Sequence, residues 1–212
     1  MTPTRIVIIA KAPLPGFAKT RLIPALGAAG AAALARLMLQ RTLSAASQAG
    51  LGPIELCCAP VWSAPAWDGV AVPEGCVLTE QGEGDLGARM ARASLRAIAQ
   101  GESVLLIGTD CPTVDADLLK EAAAALEQAD ASLVPTYDGG YALLGLRRFD
   151  GALFEAMPWS TAEVAPQTRQ RLARMGWRLA ELPTQHDIDE PADLQWLPAE
   201  WRTALMAMHA AN

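Results

Sequence analysis

The sequence predicts an α/β fold in which a mostly parallel, mixed sheet is covered by helices on both faces. Three observations lead there. Short apolar runs alternate with segments of helical periodicity along the whole chain. The run "SVLLIG" at 103–108 is apolar throughout, as a central strand buried on both faces requires. Polar clusters follow apolar runs at 11–22, 108–112 and 186–191, and ligands of open sheets bind at the carboxyl ends of strands. With 212 residues and no repeat, low-complexity linker or break in composition, one domain over 1–212 is expected.

Residues 5–11 form the first expected strand, because Ile6-Val7-Ile8-Ile9-Ala10 is apolar and largely β-branched. The alanine-rich stretch 28–48 follows as a long helix. A second strand covers 53–59, and the loop "APVWSAPAWDG" leads to a short strand near 76–78. In that loop Trp62 and Trp67 read either as packing residues or as an exposed platform. In "QGEGDLGARM", Asp85 is placed to cap a helix whose Leu86, Met90, Ala93 and Ala97 share one face. The strand at 103–108 precedes a helix at 118–128. Strands at 131–136 and 141–146 flank "YDGG", a turn signal that implies one hairpin within the parallel pattern. A helix at 162–175 capped by Ser160 or Thr161, a strand at 177–181 and a last helix starting near Pro191 complete the chain.

Apolar residues make up 51% and charged residues 19%, the balance of a globular chain. The net charge of −6 argues against a nucleic-acid surface, which needs a basic face. No membrane span is expected. The N-terminus lacks the basic, apolar and small-residue order of a secretory signal, so a cytoplasmic location is expected. Cys57, Cys58, Cys76 and Cys111 form no CxxC pair and read as reduced packing residues. No Ser/His/Asp constellation suggests a nucleophilic hydrolase. A homodimer is compatible with the composition, but no segment demands one.

The chain has three lysines, and two of them lie in "KAPLPGFAKTRL" at 11–22 together with Arg21. Lys11, Lys19 and Arg21 around Gly16, just after a strand, suit a phosphate or pyrophosphate. The Walker pattern fails, because Ala18 precedes Lys19 and position 13 is proline. The bland reading is a solvated basic loop. Asp110 in "GTDCP" follows the central strand and can cap a turn or hold a hard divalent cation. Asp187 and Asp189 in "HDIDEP" are two apart, so an extended segment turns both the same way. Asp189 alone could instead cap the final helix. Three carboxylates at two strand ends opposite three cations suggest a metal–diphosphate site, with Mg²⁺ or Mn²⁺ as the ion.

On the acceptor side, Asp138 and Gly139 lie in the glycine turn, where the backbone can be approached closely. Tyr137 and Tyr141 flank it, as sugar-pocket or strand residues. Trp159, Ser160 and Thr161 in "PWST" read as a helix cap, an acceptor contact or both. His186 and His209 are not spaced as a metal pair, and His186 borders the acids.

Taken together, "AKAPLPGFAKTRL", "QGEGDLGARM", "GTDCP", "YDGGYALLGL", "PWST" and "HDIDEP" resemble, in order and over nearly the whole chain, the bacterial DUF2064 family of proposed glycosyltransferases. That family belongs to the nucleotide-diphospho-sugar transferase superfamily. The resemblance implies a single-domain, three-layer αβα, Rossmann-like GT-A fold. It implies that Lys11, Gly16, Lys19 and Arg21 bind phosphate, and that Gln81, Gly84 and Asp85 contact the base or ribose. It implies that Asp110 binds metal, with Asp187 and Asp189 sharing the ion. One departure stands out: a DxD motif would place an acid at position 108, which is Gly108. The superfamily also holds nucleotidyltransferases, among them phospholactate guanylyltransferases.

The reading that follows is a metal-dependent transferase moving a sugar from a nucleoside-diphosphate sugar to a small acceptor. Lys19, Arg21 and Asp110 carry the catalysis. A guanylyltransferase-like enzyme joining an NTP to a phosphorylated small molecule is the first alternative. A non-catalytic nucleotide-binding protein is the second.

Overall fold

A computed structural model describes residues 3–203. One seven-stranded sheet runs through it in the order β3-β2-β1-β4-β6-β5-β7. Its strands are β1 Thr4–Lys11, β2 Ile54–Ala59, β3 Val77–Glu80, β4 Ser103–Ile107, β5 Ala131–Pro135, β6 Tyr141–Leu146 and β7 Leu179–Glu181. Every pairing is parallel except the two made by β6, which runs antiparallel to β4 and β5. The expected α/β class and mostly parallel mixed sheet are the architecture found.

Alternation along the strands sorts side chains between two cores. Ile6 and Ile8 of β1 and Leu105 and Ile107 of β4 join Leu39, Leu43, Leu119 and Ala122 on one face. That face is covered by α1 Ile23–Ala49 and α3 Ala116–Ala125. Val7, Val104 and Leu106 join Met90, Ala93, Ala97 and Leu172 on the other. This face is covered by α2 Leu86–Ala99 and α4 Val164–Arg174. The three layers follow from central strands that are apolar on both sides.

Several boundaries differ from expectation, each for a local reason. Helix α1 begins at Ile23, with Pro24 in its first turn and a break at Gly27, whose φ is 69°. By length and composition the segment Thr20–Ala49 is long and apolar enough to cross a membrane, contrary to the expectation of no such stretch. Its Leu34, Met38, Leu39 and Leu43 are buried against neighbouring elements here. Helix α3 starts earlier than expected because Asp115 caps it, accepting from the amides of Asp117 and Leu118. Helix α4 starts at Val164, with Glu163 at its N-cap position and no side-chain cap. Neither Ser160 nor Thr161 caps it. Thr161 instead closes a turn, donating to the Pro158 carbonyl and accepting from the Glu163 amide. The segment at Pro191–Trp196 is a 3-10 helix. Trp67 is buried beside Trp62 and donates its indole N–H to the Pro60 carbonyl, so this pair packs. The four cysteines are free; burial pushes the Cys58 thiol up to about 12. His209 lies outside the described residues.

A third, smaller cluster joins Leu22, Leu34 and Met38 to Ile188. Ile188 is fully buried, which contributes about 1.5–3 kcal/mol for a side chain of this kind. It pins the acidic segment 187–189 against the end of the basic loop.

Candidate functional site

The carboxyl ends of β1 and β4, the β5–β6 turn and the 187–189 segment enclose a cleft of about 710 Å³. Lys11, Lys19, Arg21, Gln81, Gly84, Asp85, Asp110, Asp138, Trp159, Ser160, Thr161, Asp187 and Asp189 all line it. Segments up to 178 residues apart are thus brought to one place. Gly16 and Gly139 are not among the lining residues. Gly16 is exposed in the loop with φ 76°. Gly139, with φ 90°, has a supporting position: a Cβ there would lie 2.3 Å from the Ala162 carbonyl oxygen. Its own carbonyl accepts from the Ala165 amide, which clamps the turn to the first turn of α4.

Lys19 is the centre of the cationic side. Its side chain is nearly buried, with Nζ 2.6 Å from Asp110 Oδ1 and 3.8 Å from Asp189 Oδ1. It also donates to the Ile188 carbonyl. The Ile188 amide donates to the Asp110 carbonyl at 2.9 Å, so backbone and side-chain bonds tie three segments together. Arg21 pairs with Asp189 on the exposed rim. Lys19 holds a left-handed backbone, φ 50°, and Ser160 another, φ 63°. Such conformations cost about 1–3 kcal/mol each and gather at functional sites.

The acids divide accordingly. Asp189 belongs to Lys19 and Arg21, and caps nothing: Glu190 is at the cap position, and Asp193 accepts from the amides of Asp189 and Glu190. Asp187 faces inward. Burial, then the neighbouring Asp138 and more weakly Asp193 and Asp110, pushes its carboxyl up to about 6. Asp138 is fixed by Thr136 Oγ1 and the Gly140 amide, both donating to its Oδ1. Among the described residues, no group of three His, Cys, Asp or Glu side chains is arranged to hold a metal ion. The expected trio of Asp110, Asp187 and Asp189 is therefore not assembled, because Lys19 stands between two of its members.

On the opposite wall Asp85 caps α2, accepting from the Ala88 amide at 2.8 Å. Gln81 is buried and occupied: its amide donates to the Ala10 and Cys57 carbonyls and accepts from Arg89 Nη1. It holds the ends of β1 and β2 in place. Arg89 lines the cleft as a further cation, outside the residues expected from the sequence. It lies one helical turn after the cap Asp85, on the same face, and that spacing was the available signal. Phe17, Met90 and Tyr141 also line the wall; burial pushes the Tyr141 phenol well up. The Trp159 indole N–H is buried without a partner. Cys111 packs beneath the site, and burial with Asp110 alongside keeps its thiol protonated.

The profile of a family described as "Uncharacterized protein conserved in bacteria (DUF2064)" matches residues 42–161. The chain belongs to that family. No curated protein matches the sequence. Among solved structures, this DUF2064 protein is similar to a "putative nucleotide-diphospho-sugar transferase" from Desulfovibrio desulfuricans G20. The two are 28% identical with TM-score 0.87, over 100% of this chain and 96% of the other. Rv0371c of Mycobacterium tuberculosis H37Rv, solved in complex with manganese, is 21% identical with TM-score 0.52, covering 92% and 98%. CMP:2-keto-3-deoxy-manno-octonic acid synthetase, complexed with CTP, is 14% identical with TM-score 0.55, covering 98% and 99%. The last two share the fold with this DUF2064 protein.

Proposed function

We propose that this protein is a single-domain, metal-dependent transferase using a nucleotide-activated donor, and that it moves a sugar to a small acceptor. One observation carries the reading: Lys11, Lys19 and Arg21 face Asp110, Asp138, Asp187 and Asp189 across a single cleft at the carboxyl ends of the strands. An anionic donor meets the cations there, and a divalent ion meets the acids.

The donor set fits such an ion in its chemistry. Asp138 and Asp187 are oxygen ligands, and among the described residues neither is paired with a cation, whereas Asp110 and Asp189 share Lys19. Burial first, and then the neighbouring Asp138 carboxylate, raise the Asp187 carboxyl. Asp187 and Asp138 would be the two protein ligands of Mg²⁺ or Mn²⁺, and donor phosphate oxygens suit the rest of the shell. The bound ion supplies charge neutralisation at the diphosphate. Lys11, Lys19 and Arg21 stabilise the negative charge that develops on the leaving group. Gln81 and Asp85 keep the strand end and helix start in place beside the donor. Asp138 faces the same space and can accept a proton from the acceptor hydroxyl.

Nucleotidyl transfer is the second reading, favoured by Gly108. With no acid at that position, Asp110 is the one carboxylate just after β4, and one fold neighbour is a synthetase complexed with CTP.

Thermal shift with UDP-, GDP-, dTDP- and CDP-sugars and free NTPs, each with Mn²⁺, Mg²⁺ or EDTA, tests both. Metal-dependent stabilisation by one nucleotide-sugar, lost in Asp110→Asn, supports sugar transfer. Stabilisation by an NTP alone supports nucleotidyl transfer. No shift with any of them overturns both.

A further inference from the structure

One residue before the cleft acids Asp138 and Asp187, Tyr137 and His186 join Trp196 in a stack of three rings. Tyr137, in the β5–β6 turn, lies over His186 with ring centroids 4.1 Å apart and planes 23° apart. His186 lies over Trp196 at 3.9 Å and 10°. The stack is held from below. The Tyr137 amide donates to the Gln185 carbonyl, and Thr136 and Gln185 form a parallel bridge. The outer ring is nevertheless open, since Tyr137 is 66% exposed. One face of the Tyr137 ring is used by His186, and the exposed remainder is open to a ligand.

Its position gives it chemistry. Tyr137 immediately precedes Asp138, and His186 immediately precedes Asp187; both acids line the cleft. Asp138 Oδ1 is occupied by Thr136 and Gly140, which leaves Oδ2 to accept. A flat aromatic face one residue away from a carboxylate with an oxygen left to accept matches a pyranose ring. The C–H face of the sugar stacks on the ring, and a hydroxyl donates to the carboxylate. Surrounding acids repel an anionic ring and leave a neutral polyol favoured.

We infer that the Tyr137–His186–Trp196 stack, with Asp138 Oδ2, is a carbohydrate subsite that seats the acceptor ring at the mouth of the cleft. This assignment rests on the transferase reading for its purpose but not for its binding. Saturation-transfer NMR with methyl glucopyranoside, galactopyranoside and mannopyranoside tests it, with the linear polyol sorbitol and with adenosine as comparisons.

At least one pyranoside is expected to receive saturation, strongest on the protons of one ring face. Tyr137→Ala should weaken that binding by about tenfold, the loss of one stacked face. Tyr137→Phe keeps the face and should restore binding; a circular-dichroism melt checks that each variant folds. Trp196→Ala, which removes the backing ring, should weaken binding less. Equal binding of sorbitol, Tyr137-dependent binding of adenosine alone, no binding of any pyranoside, or a Tyr137→Ala variant that binds as well as the parent would each overturn the assignment. The nucleotide panel on the parent protein is read separately. Pyranoside binding without nucleotide binding keeps the subsite and rejects the transferase reading; nucleotide binding without pyranoside binding does the reverse.

Discussion

Lys19 shows how one side chain can organise a site. It is nearly buried, bonded to Asp110, Asp189 and the Ile188 carbonyl, and held in a left-handed backbone. Lys19→Ala should fold, losing about 1–2 kcal/mol because the two acids stay half solvated. It should weaken GDP or UDP binding by roughly 10–100-fold, read by calorimetric titration. Asp187 makes a prediction of opposite sign. Its folded carboxyl is raised to about 6 from 3.8, so the ionised form is disfavoured in the fold. Stability is fullest below the unfolded value and is lost as pH rises through 6. Asp187→Asn should therefore stabilise the protein at pH 7–8, by about 1–2 kcal/mol after allowance for solvent screening, and by nothing at pH 4. Denaturant melts at both pH values check this. Protons also compete with metal at the same oxygens, so the Mn²⁺-dependent gain in melting temperature should fall as pH drops from 7 to 5.

The hairpin β5–β6 is the element on which the acceptor side depends. It interrupts the parallel order and carries Asp138 to the end of the sheet where Lys19 and Asp110 lie. Gly139 lets the turn press against residue 162, and Gly139→Ala should cost about 2–4 kcal/mol through a positive φ and a blocked contact. An unfolding curve with an unchanged midpoint would show that the loop moves aside freely. Elements of this kind were legible in the sequence where a local rule decides them. Continuous apolar runs marked β1 and β4, Asp85 marked the start of α2, and "YDGG" marked the hairpin. The start of α4 differs from expectation because Thr161, which offers a cap, closes a turn instead. Site residues were legible at strand ends, where topology fixes where loops meet. The pairing of Asp189 with Arg21 and Lys19, and so the separation of the acids, was not. It depends on Ile188 burying beneath Leu22 and Met38, a long-range contact that the alternation in "DID" only hints at.

At the scale of the molecule, the site exists because both halves of the sheet end at one cleft. A donor nucleotide that binds only the folded state should raise its melting temperature. At a hundredfold excess over Kd the gain is about 2.7 kcal/mol, or roughly 5–10 °C for a chain of this size, and EDTA should remove the metal-dependent part. The sheet order places β1 beside β2 and β4, so the four adjacent strands β3-β2-β1-β4, from one edge of the sheet to its middle, are complete by residue 107. The segment that pins Lys19 arrives only at 187–189. On a ribosome the phosphate loop and Asp110 therefore emerge together, and Lys19 pairs with Asp110 alone until the Ile188 carbonyl and Asp189 follow. The acidic wall of the cleft closes only when the 187–189 segment docks, and a chain cut short before Ile188 has much of the scaffold without that wall.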